Sequence, residues 1–313
     1  MAGLKELAVQ GRELFTGGHR ACAGCGFPPT VRMVLLAASD RPVVAGAATG
    51  CLEVTSTIFP QTAWRCSFIH NAFENVAATI SGVEAAARAL RRRGRLKADF
   101  HFIAFGGDGG TYDIGLQSLS GAVERGHRLL YICYDNEGYA NTGMQRSSAT
   151  PRGAATTTSP SGRGSAGKPQ RRKDLTAILA AHKIPFVAQT SVAHWSDLTT
   201  KVQKALQADG PAFLNVLAPC RLIWGTPPEE TVDVTRHAVD TCFWPLYQVE
   251  DGRWKLTYRP REKKPLAEWL KRQARFQHLF TGEHEDLLAE LQAEVDRDWE
   301  ELLARCGELP AKR

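Results

Sequence analysis

The 313-residue sequence has no apolar run long enough to cross a lipid bilayer. Its first segment, residues 1–20, carries charges throughout and has no apolar core of the kind that a secretory signal peptide needs. It also contains no internal repeats. We therefore expect a cytoplasmic enzyme or enzyme subunit that does not bind membranes.

The basic residues are not interleaved with aromatic side chains, as they are in grooves that bind single-stranded nucleic acid. The net charge is +6, and three basic runs supply it, at 88–97, 168–173 and 259–264. Runs of this kind are usually solvated faces or partner contacts. We expect no nucleic-acid partner and interpret the runs as solvated or as contacts with an acidic protein.

Eight cysteines in a chain expected to be cytoplasmic argue against a disulfide framework and for metal or redox chemistry. Cys22 and Cys25 have C-x₂-C spacing, whereas Cys51 and Cys220 each follow a predicted strand. If the four thiolates converge, they would fit a structural zinc ion or a four-iron, four-sulfur cluster, and spacing alone leaves both open. The cysteines interpreted as structural are Cys66, Cys133, Cys242 and Cys306.

Short, nearly continuous apolar runs alternate with longer segments of helical periodicity. The predicted strands are 42–50, 99–110, 128–138, 185–191 and 212–220. The helical patterns between and after them are 71–94, 111–126, 172–183 and 194–210. Apolar strands that alternate with helices predict an α/β fold with a doubly wound parallel sheet, covered on both faces.

Two segments interrupt this alternation. Residues 142–172 are rich in Gly, Ser, Thr and Pro, which indicates a functional lid or a disordered insert. After Pro227 we expect no further strands, and 283–306 reads as a charged amphipathic helix. The sequence therefore predicts one domain over 1–225 and a C-terminal extension over 226–313 that docks a partner.

Polar residues follow two predicted strands. In "FIAFGGDGG" Asp108 lies within the glycine-rich turn 107–110, and in "YICYDNEGYANTG" Asn136 and Asn141 follow the next strand. Ligands of open parallel sheets bind beyond the carboxyl ends of the strands. Carboxylate, amide and carbonyl oxygens suit Mg²⁺, and glycines at the start of a helix near Thr111 let backbone N–H groups approach a phosphate. The pattern indicates a diphosphate bridged by magnesium.

This pairing of a GDG turn with a later asparagine turn resembles the thiamine-diphosphate signature. The segments "GHRACAGCG", "ATGCLEV", "HNAFEN", "GGDGGTYDIGLQSLSGA", "YDNEGYANTGMQRSSATP" and "APCRLIWG" strongly resemble β subunits of pyruvate:ferredoxin oxidoreductases, within the 2-oxoacid:ferredoxin oxidoreductase family. The resemblance covers 17–225. It implies a thiamine-diphosphate-binding fold.

The resemblance also implies a set of site residues. Magnesium would be held by Asp108, the Asn136 side chain and the Gly138 carbonyl, and Asn141 would lie at the reacting end of the cofactor as a catalytic residue. The remaining cofactor-binding positions would be Cys51, Gly107, Gly109, Gly110 and Tyr139. One [4Fe–4S] cluster would be ligated by Cys22, Cys25, Cys51 and Cys220. In "HNAFEN", His70 and Asn75 are interpreted as capping or supporting residues, and Glu53 as shaping the Cys51 loop.

The activity implied is oxidation of a 2-oxo acid, by default pyruvate, with coenzyme A and oxidised ferredoxin, or the reverse pyruvate synthase reaction. The implied partners are an α subunit that supplies a second thiamine domain and its glutamate, a ferredoxin-like cluster subunit, and external ferredoxin. Three alternatives stay open. They are an enzyme of the same type acting on oxalate or a branched-chain 2-oxo acid, a non-oxidative thiamine decarboxylase, and a zinc-stabilised binding module.

Overall fold

The computed structural model describes residues 3–10, 12–282 and 284–309. The helices are α1 Leu4–Gln10, α2 Phe27–Ala37, α3 Cys51–Ser56, α4 Val76–Arg92, α5 Leu116–Glu124, α6 Leu175–Ala181, α7 Trp195–Gln207, α8 Arg221–Trp224, α9 Thr231–Asp240, α10 Leu266–Leu270 and α11 Glu285–Arg305. The strands are β1 Val43–Ala48, β2 Ser67–Asn71, β3 His101–Gly107, β4 Leu130–Asp135, β5 Ser161–Gly162, β6 Ser165–Ala166, β7 Phe186–Ser191, β8 Ala212–Leu217, β9 Tyr247–Glu250 and β10 Arg253–Leu256. A π-helical turn spans Gly109–Ile114, and 3₁₀ turns span Pro228–Glu230 and Ala274–Phe280.

The main sheet has eight strands in the order β10-β9-β7-β8-β4-β3-β1-β2. The strands from β7 to β2 in this order run parallel to their neighbours, whereas β9 and β10 pair antiparallel. Each of the five predicted strands is present, slightly shorter than its apolar run. The predicted α/β fold with a largely parallel sheet is confirmed.

Helices cover both faces of the sheet because successive strand residues point to opposite sides. Ile103 and Ile132 pack into one core, together with Val31 of α2 and Leu198 of α7. Ala104, Tyr131 and Cys133 belong to the opposite core, which includes residues of α4, α5 and α6. Both faces of the central strands are therefore dry, as their continuous apolar sequences predict.

The expectation of no further strands after Pro227 is wrong. The strands β9 and β10 form a hairpin that turns at Asp251 and Gly252, both with positive φ, and β9 pairs with β7. Each strand has only four residues, so neither presents the length that identifies a strand in sequence. The division of the chain at 225 stays a prediction.

The C-terminal segments also build a core of their own with the end of the α/β domain. Its fully buried members include the indoles of Trp224, Trp244 and Trp269, with Phe276 and Leu279 beside them. Trp269 contacts Trp224 edge to face, with ring centroids 5.6 Å apart. Residues beyond 225 therefore pack directly on the domain that precedes them.

The glycine- and serine-rich segment 142–172 is packed against the body of the molecule. Ala149, Thr150 and Ala154 are fully buried, and the short β5–β6 hairpin lies near its end. Lys168 is 1% exposed, and its ammonium donates to the Thr150 carbonyl at 2.6 Å. Ala149 also packs in the core that contains Tyr131, and Thr150 Oγ1 donates to the Glu137 carbonyl at 2.7 Å, so the segment is held to the domain.

The interpretation of the basic run 168–173 as solvated or as a contact with another protein is wrong. Arg171 pairs with Asp298 at 2.5 Å, and Arg172 pairs with the fully buried Asp135 at 3.0 Å. The basic side chains of this run make contacts within the chain. The sequence alone could not show which acidic residues fold against them. Within the described residues, no helix is long and apolar enough to span a bilayer.

Candidate active site

The predicted site residues meet at one edge of the sheet. Because β1, β3, β4 and β8 are parallel, their carboxyl ends lie side by side. Cys51 follows β1, Asp108 follows β3, Asn136 follows β4 and Cys220 follows β8. This is the edge at which open α/β sheets bind ligands.

A cavity of about 180 Å³ opens at this edge. All of the predicted cofactor-binding residues line it, namely Cys51, Gly107, Asp108, Gly109, Gly110, Asn136, Gly138, Tyr139 and Asn141. The sequence reasoning missed Thr49, Phe73 and Thr142, which also line it. Phe73 lies in the "HNAFEN" segment, and that motif was the only available signal for it.

Glycine is required at the floor of this cavity because neighbouring groups come close to the backbone. A Cβ on Gly109 would stand 2.6 Å from the Tyr139 ring, and one on Gly110 would stand 3.0 Å from the Phe73 carbonyl oxygen. The chain then enters the π-helical turn Gly109–Ile114, so helical structure begins two residues earlier than the predicted start near Thr111. Backbone N–H groups at such a helical start favour an anionic ligand.

Three hard oxygens converge beside this turn. The Asn136 amide oxygen lies 3.1 Å from Asp108 Oδ1 and 2.8 Å from the Gly138 carbonyl oxygen, so it faces only acceptors. Turning the amide over would let it donate to both oxygens. A cation would equally stabilise the arrangement, since ligands of octahedral Mg²⁺ at about 2.1 Å stand about 3 Å from one another. This donor set fits magnesium.

The Asp108 carboxylate is fully buried. Ser147 Oγ donates to its Oδ2 at 2.5 Å, and the backbone N–H of Asn136 donates to its Oδ1 at 3.1 Å. Burial raises the pKa of Asp108 well above its usual value, and the neighbouring Asp135 raises it further. A divalent cation at this place would therefore offset an unfavourable buried charge.

Two arginines that the sequence reasoning missed lie behind the turn. Arg172 pairs with Asp135, which also accepts a hydrogen bond from Tyr112 Oη at 2.6 Å. Arg275 donates to the carboxylate of Glu137, and both side chains are almost completely buried. Arg172 lay in a basic run, but nothing in the local sequence marks Arg275.

The two predicted halves of the cysteine set come together. Within the C-x₂-C turn, the backbone N–H of Cys25 donates to the Cys22 carbonyl at 3.1 Å. The next residue, Gly26, donates its N–H to the Pro219 carbonyl at 3.0 Å, and a Cβ on Gly26 would stand 2.5 Å from the Ala218 carbonyl carbon. The turn is thus packed directly against the strand end that carries Cys220.

The thiols are close enough to influence one another electrostatically. Burial raises the pKa of Cys25 to about 12, and Cys220, Cys51 and Cys22 add to the increase. Burial likewise raises the pKa of Cys51 to about 11, with Cys220 and Cys22 contributing. Four thiols that repel one another's ionised forms are a donor set suited to a thiophilic metal centre.

In the part of the chain that the structure describes, no three His, Cys, Asp or Glu side chains are grouped so as to hold a metal ion. Cys22 is exposed, and Cys25, Cys51 and Cys220 are partly buried. The assignment of these four residues as cluster ligands stays a prediction.

The cysteines and the cavity meet at Cys51. Its thiol lies 3.8 Å from Asn141 Oδ1, and both residues line the cavity. His70 supports the same wall, since its Nε2 lies 3.1 Å from Thr49 Oγ1 and its Nδ1 lies 3.4 Å from the Glu53 carboxylate. Asn75 precedes α4 in the N-cap position, but its side chain makes no capping hydrogen bond.

Comparisons with known proteins agree with this geometry. Residues 48–216 match the thiamine pyrophosphate enzyme family, C-terminal TPP binding domain. The pyruvate synthase subunit PorB of Thermotoga maritima is 52% identical in an alignment of 294 residues that covers 92% of this chain and 90% of that protein. The ketoisovalerate oxidoreductase subunit VorB of Pyrococcus abyssi is 40% identical over 300 residues, or 95% of each chain.

A solved structure shares the fold. The 2-oxoglutarate:ferredoxin oxidoreductase from Magnetococcus marinus superposes with a TM-score of 0.58 at 16% identity, covering 89% of this chain and 94% of that one. Fold and site thus define an α/β domain of the thiamine-pyrophosphate-binding class. The chain belongs to the 2-oxoacid:ferredoxin oxidoreductase family, as a PorB-type subunit of a multi-subunit, thiamine-diphosphate-dependent enzyme.

Proposed function

We propose that this chain is the β subunit of a pyruvate synthase. The complete enzyme would convert pyruvate and coenzyme A to acetyl-coenzyme A and CO₂ and transfer the two electrons released to ferredoxin, or run in reverse. The chain would hold thiamine diphosphate with Mg²⁺ and one [4Fe–4S] cluster. Similarity to PorB subunits over about nine-tenths of the chain supports the substrate assignment.

The residues at the glycine-rich turn would bind the diphosphate and its metal. Asp108, the Asn136 amide oxygen and the Gly138 carbonyl would hold Mg²⁺, and the backbone at Gly109 and Gly110 would approach the phosphates. Thiamine diphosphate, once bound, supplies an electron sink for decarboxylation of the 2-oxo acid. Asn141, at the cavity rim beside Cys51, would orient the substrate through its amide.

Cys22, Cys25, Cys51 and Cys220 would ligate the cluster. The observation that carries the proposal is the contact between Cys51 and Asn141, at 3.8 Å, because it joins the thiol set to the cavity. Short separation matters because the rate of electron transfer falls steeply with distance. Cys51 would thus hold a cluster beside the cofactor cavity, where that group would supply an electron acceptor.

Exposed apolar side chains near the site support a partner that covers it. Leu222 lies two residues after Cys220 and is 48% exposed, and Ile114, at the end of the π-helical turn, is 55% exposed. Apolar groups exposed around a functional edge are typical of protein interfaces. We propose that an α subunit covers this edge and supplies the second thiamine domain with its glutamate, and that a ferredoxin-like subunit accepts the electrons.

A branched-chain 2-oxo acid is the second candidate substrate. The ketoisovalerate oxidoreductase subunit VorB is 40% identical to this chain, so similar subunits occur in enzymes named for different 2-oxo acids. The chain would bind the same cofactors in either case. Substrate choice would then depend on the α subunit.

Anaerobic co-purification with the partner subunits tests the proposal. The complex should contain thiamine diphosphate, magnesium, iron and acid-labile sulfide, and should reduce ferredoxin with pyruvate and coenzyme A. Parallel assays with 2-oxoisovalerate and oxalate decide the substrate. Zinc without iron, or full activity in a colourless protein, would reject the cluster.

The Cys220→Ser variant tests the ligand set within the same complex. Loss of one thiolate should disturb the cluster and its electron paramagnetic resonance signal while the sheet stays folded. Cys306→Ser is the matched control, because Cys306 is distant in sequence from every predicted ligand and packs in the opposite core. Normal cluster content in Cys220→Ser would remove Cys220 from the set.

A further inference from the structure

Arg275, from the C-terminal part of the chain, reaches the turn that carries two of the proposed magnesium ligands. It lies in the 3₁₀ turn Ala274–Phe280, is 4% exposed, and donates through Nη2 to the Glu137 carboxylate. Glu137 is fully buried and stands between Asn136 and Gly138. The ion pair therefore acts on the residue that separates the two ligands.

The backbone of Glu137 needs such support. Its φ is +66°, in the left-handed region that residues with a side chain seldom adopt. Its N–H donates to Asp135 Oδ1 at 3.0 Å, and its carbonyl accepts from Thr150 Oγ1 at 2.7 Å. The turn is thus fixed at the N–H, the carbonyl and the side chain of one strained residue.

Arg275 is itself rigidly placed. Its guanidinium lies over the Trp224 ring, 4.5 Å from the centroid, and Gln273 Oε1 accepts from its Nε at 2.9 Å. Trp224 Nε1 in turn donates to the Asn136 carbonyl at 3.0 Å. The guanidinium and the indole that supports it therefore hold consecutive residues of the turn.

The chain around Ala274 fits closely against the end of the α/β domain, and this contact fixes the position of Arg275. Gly225 has a φ of +65°, and a Cβ there would stand 2.3 Å from the Cβ of Ala274. The residue before Arg275 thus sits directly on the end of α8, the short helix that begins next to Cys220. No side chain larger than hydrogen fits at that contact.

We propose that Arg275 is a positioning residue for the metal-binding turn, which makes the C-terminal extension a part of the cofactor site. Through Glu137 it sets the directions in which the Asn136 amide and the Gly138 carbonyl point. This inference rests on the proposed binding of thiamine diphosphate with Mg²⁺. Outer groups of this kind typically alter metal affinity by about 10–100-fold when they are removed.

A purely structural role is the competing explanation, because breaking a buried ion pair destabilises a fold by itself. The two roles separate in a double variant. Glu137→Gln with Arg275→Met removes both buried charges, so it relieves the unpaired carboxylate that Arg275→Met leaves. It does not restore the bond that orients the turn.

The experiment uses the full chain in its anaerobically purified complex, stripped of thiamine diphosphate and metal. Binding of added thiamine diphosphate is measured calorimetrically over a range of Mg²⁺ concentrations, and unfolding of the stripped complex is followed in parallel. Arg275→Met should raise the Mg²⁺ concentration for half-maximal binding about tenfold, and Arg275→Lys should raise it less. The double variant should regain unfolding temperature yet keep the raised Mg²⁺ requirement.

Lys204→Gln is the matched control. It removes an ion pair between the same two parts of the chain, with Glu250, but it does not touch the turn, so its Mg²⁺ requirement should equal that of the wild type. A wild-type Mg²⁺ requirement in the double variant, or in a folded Arg275→Met, overturns the proposal. Failure of the wild type to bind thiamine diphosphate at any Mg²⁺ concentration would overturn the proposed function instead.

Discussion

At the scale of single residues, Asp108 occupies a position that is unfavourable for a carboxylate but suited to a metal ligand. Its carboxylate is fully buried beside Asp135, and no cationic side chain contacts it directly among the described residues. An unpaired buried charge is unfavourable unless a cation or several hydrogen bonds offset it. The fold tolerates this carboxylate at a place where the neighbouring oxygens also suit a metal.

Asp108→Asn should therefore separate stability from cofactor binding. We expect the stripped protein to unfold at the same or a higher temperature, because a buried charge is removed without a change of shape. Retention of thiamine diphosphate should fall by about tenfold or more, since a direct ligand matters at least as much as an outer one. The test compares the cofactor content and thermal unfolding of Asp108→Asn with those of Asp209→Asn, a control at an exposed position. Equal cofactor content in both variants would contradict the magnesium assignment.

Lys201 is a second buried charged residue, and it does not line the site cavity. Its side chain is 1% exposed, and the ammonium donates to Asp197 at 2.7 Å, to the Gln189 carbonyl and to Thr257. Burial lowers the pKa of Lys201 to about 8, although the pairing with Asp197 opposes the change. Between pH 8 and about 10.4, the usual lysine value, the unfolded chain thus binds more protons than the folded one.

Stability should consequently rise with pH through this window because of Lys201. Relative to Lys201→Met, the wild type should gain about 1–3 kcal/mol of unfolding free energy between pH 8 and 10.5. Denaturant unfolding at the two pH values measures the difference, and Lys255→Met, at an exposed position, gives the baseline. A difference between wild type and Lys201→Met that does not change with pH would show that the ammonium is not disfavoured by burial.

At the scale of elements, the long loop and the last helix stabilise each other. Arg152 contacts Glu290 at 2.6 Å and Glu294 at 2.5 Å, while Arg171 contacts Asp298 at 2.5 Å. The acidic residues lie along one side of α11, and both arginines come from 142–172. The loop in turn supplies Ser147, which donates to Asp108. The helix α11 therefore supports the site indirectly, through the loop.

Replacing both arginines, as Arg152→Gln with Arg171→Gln, should loosen this support. Since the pairs are partly exposed, we expect a loss of only about 1 kcal/mol in unfolding free energy. Cleavage within 142–172 under limited proteolysis should increase more visibly. Arg236→Gln, which removes an exposed pair with Asp233, is the control. Equal proteolysis of the wild type, the double variant and Arg236→Gln would mean that α11 does not stabilise the loop.

Sequence reasoning succeeded for elements whose cause is local. The apolar runs ending in Asp108 and Asn136 are strands because they are buried on both faces, and the turns after them carry the glycines that the site needs. It failed where long-range packing decides. The Tyr247–Glu250 strand is too short to identify, and Arg275 gains its role only when the chain returns to Glu137.

At the scale of the whole molecule, basic residues lie at both ends of the sheet. The run of arginines at the end of α4 lies next to the start of β3, at the edge opposite the cysteines. The helix has 17 residues, so its two ends are about 25 Å apart. Arg20, in contrast, lies beside α3, the helix that begins at Cys51, because its backbone N–H donates to the Thr55 carbonyl at 2.9 Å.

Binding of an acidic electron-accepting partner, as proposed above, should therefore depend on Arg20 rather than on the basic run 88–97. In the complete enzyme, Arg20→Glu should slow ferredoxin reduction and weaken its dependence on ionic strength. Arg92→Glu with Arg93→Glu, two exposed positions at the end of α4, should leave the rate within about twofold. Stopped-flow reduction over a range of salt concentrations measures both. The reverse ranking would place the acceptor at the other end of the sheet.

Trp224 also gives the molecule an optical property. Its indole is fully buried, donates to the Asn136 carbonyl and lies beneath the Arg275 guanidinium. Any shift of the Asn136–Gly138 turn changes the polarity around this fluorophore. Because the chain has seven tryptophans, the emission of Trp224→Phe must be subtracted from that of the wild type. The difference spectrum is then expected to report Mg²⁺ binding at the proposed site without an added label.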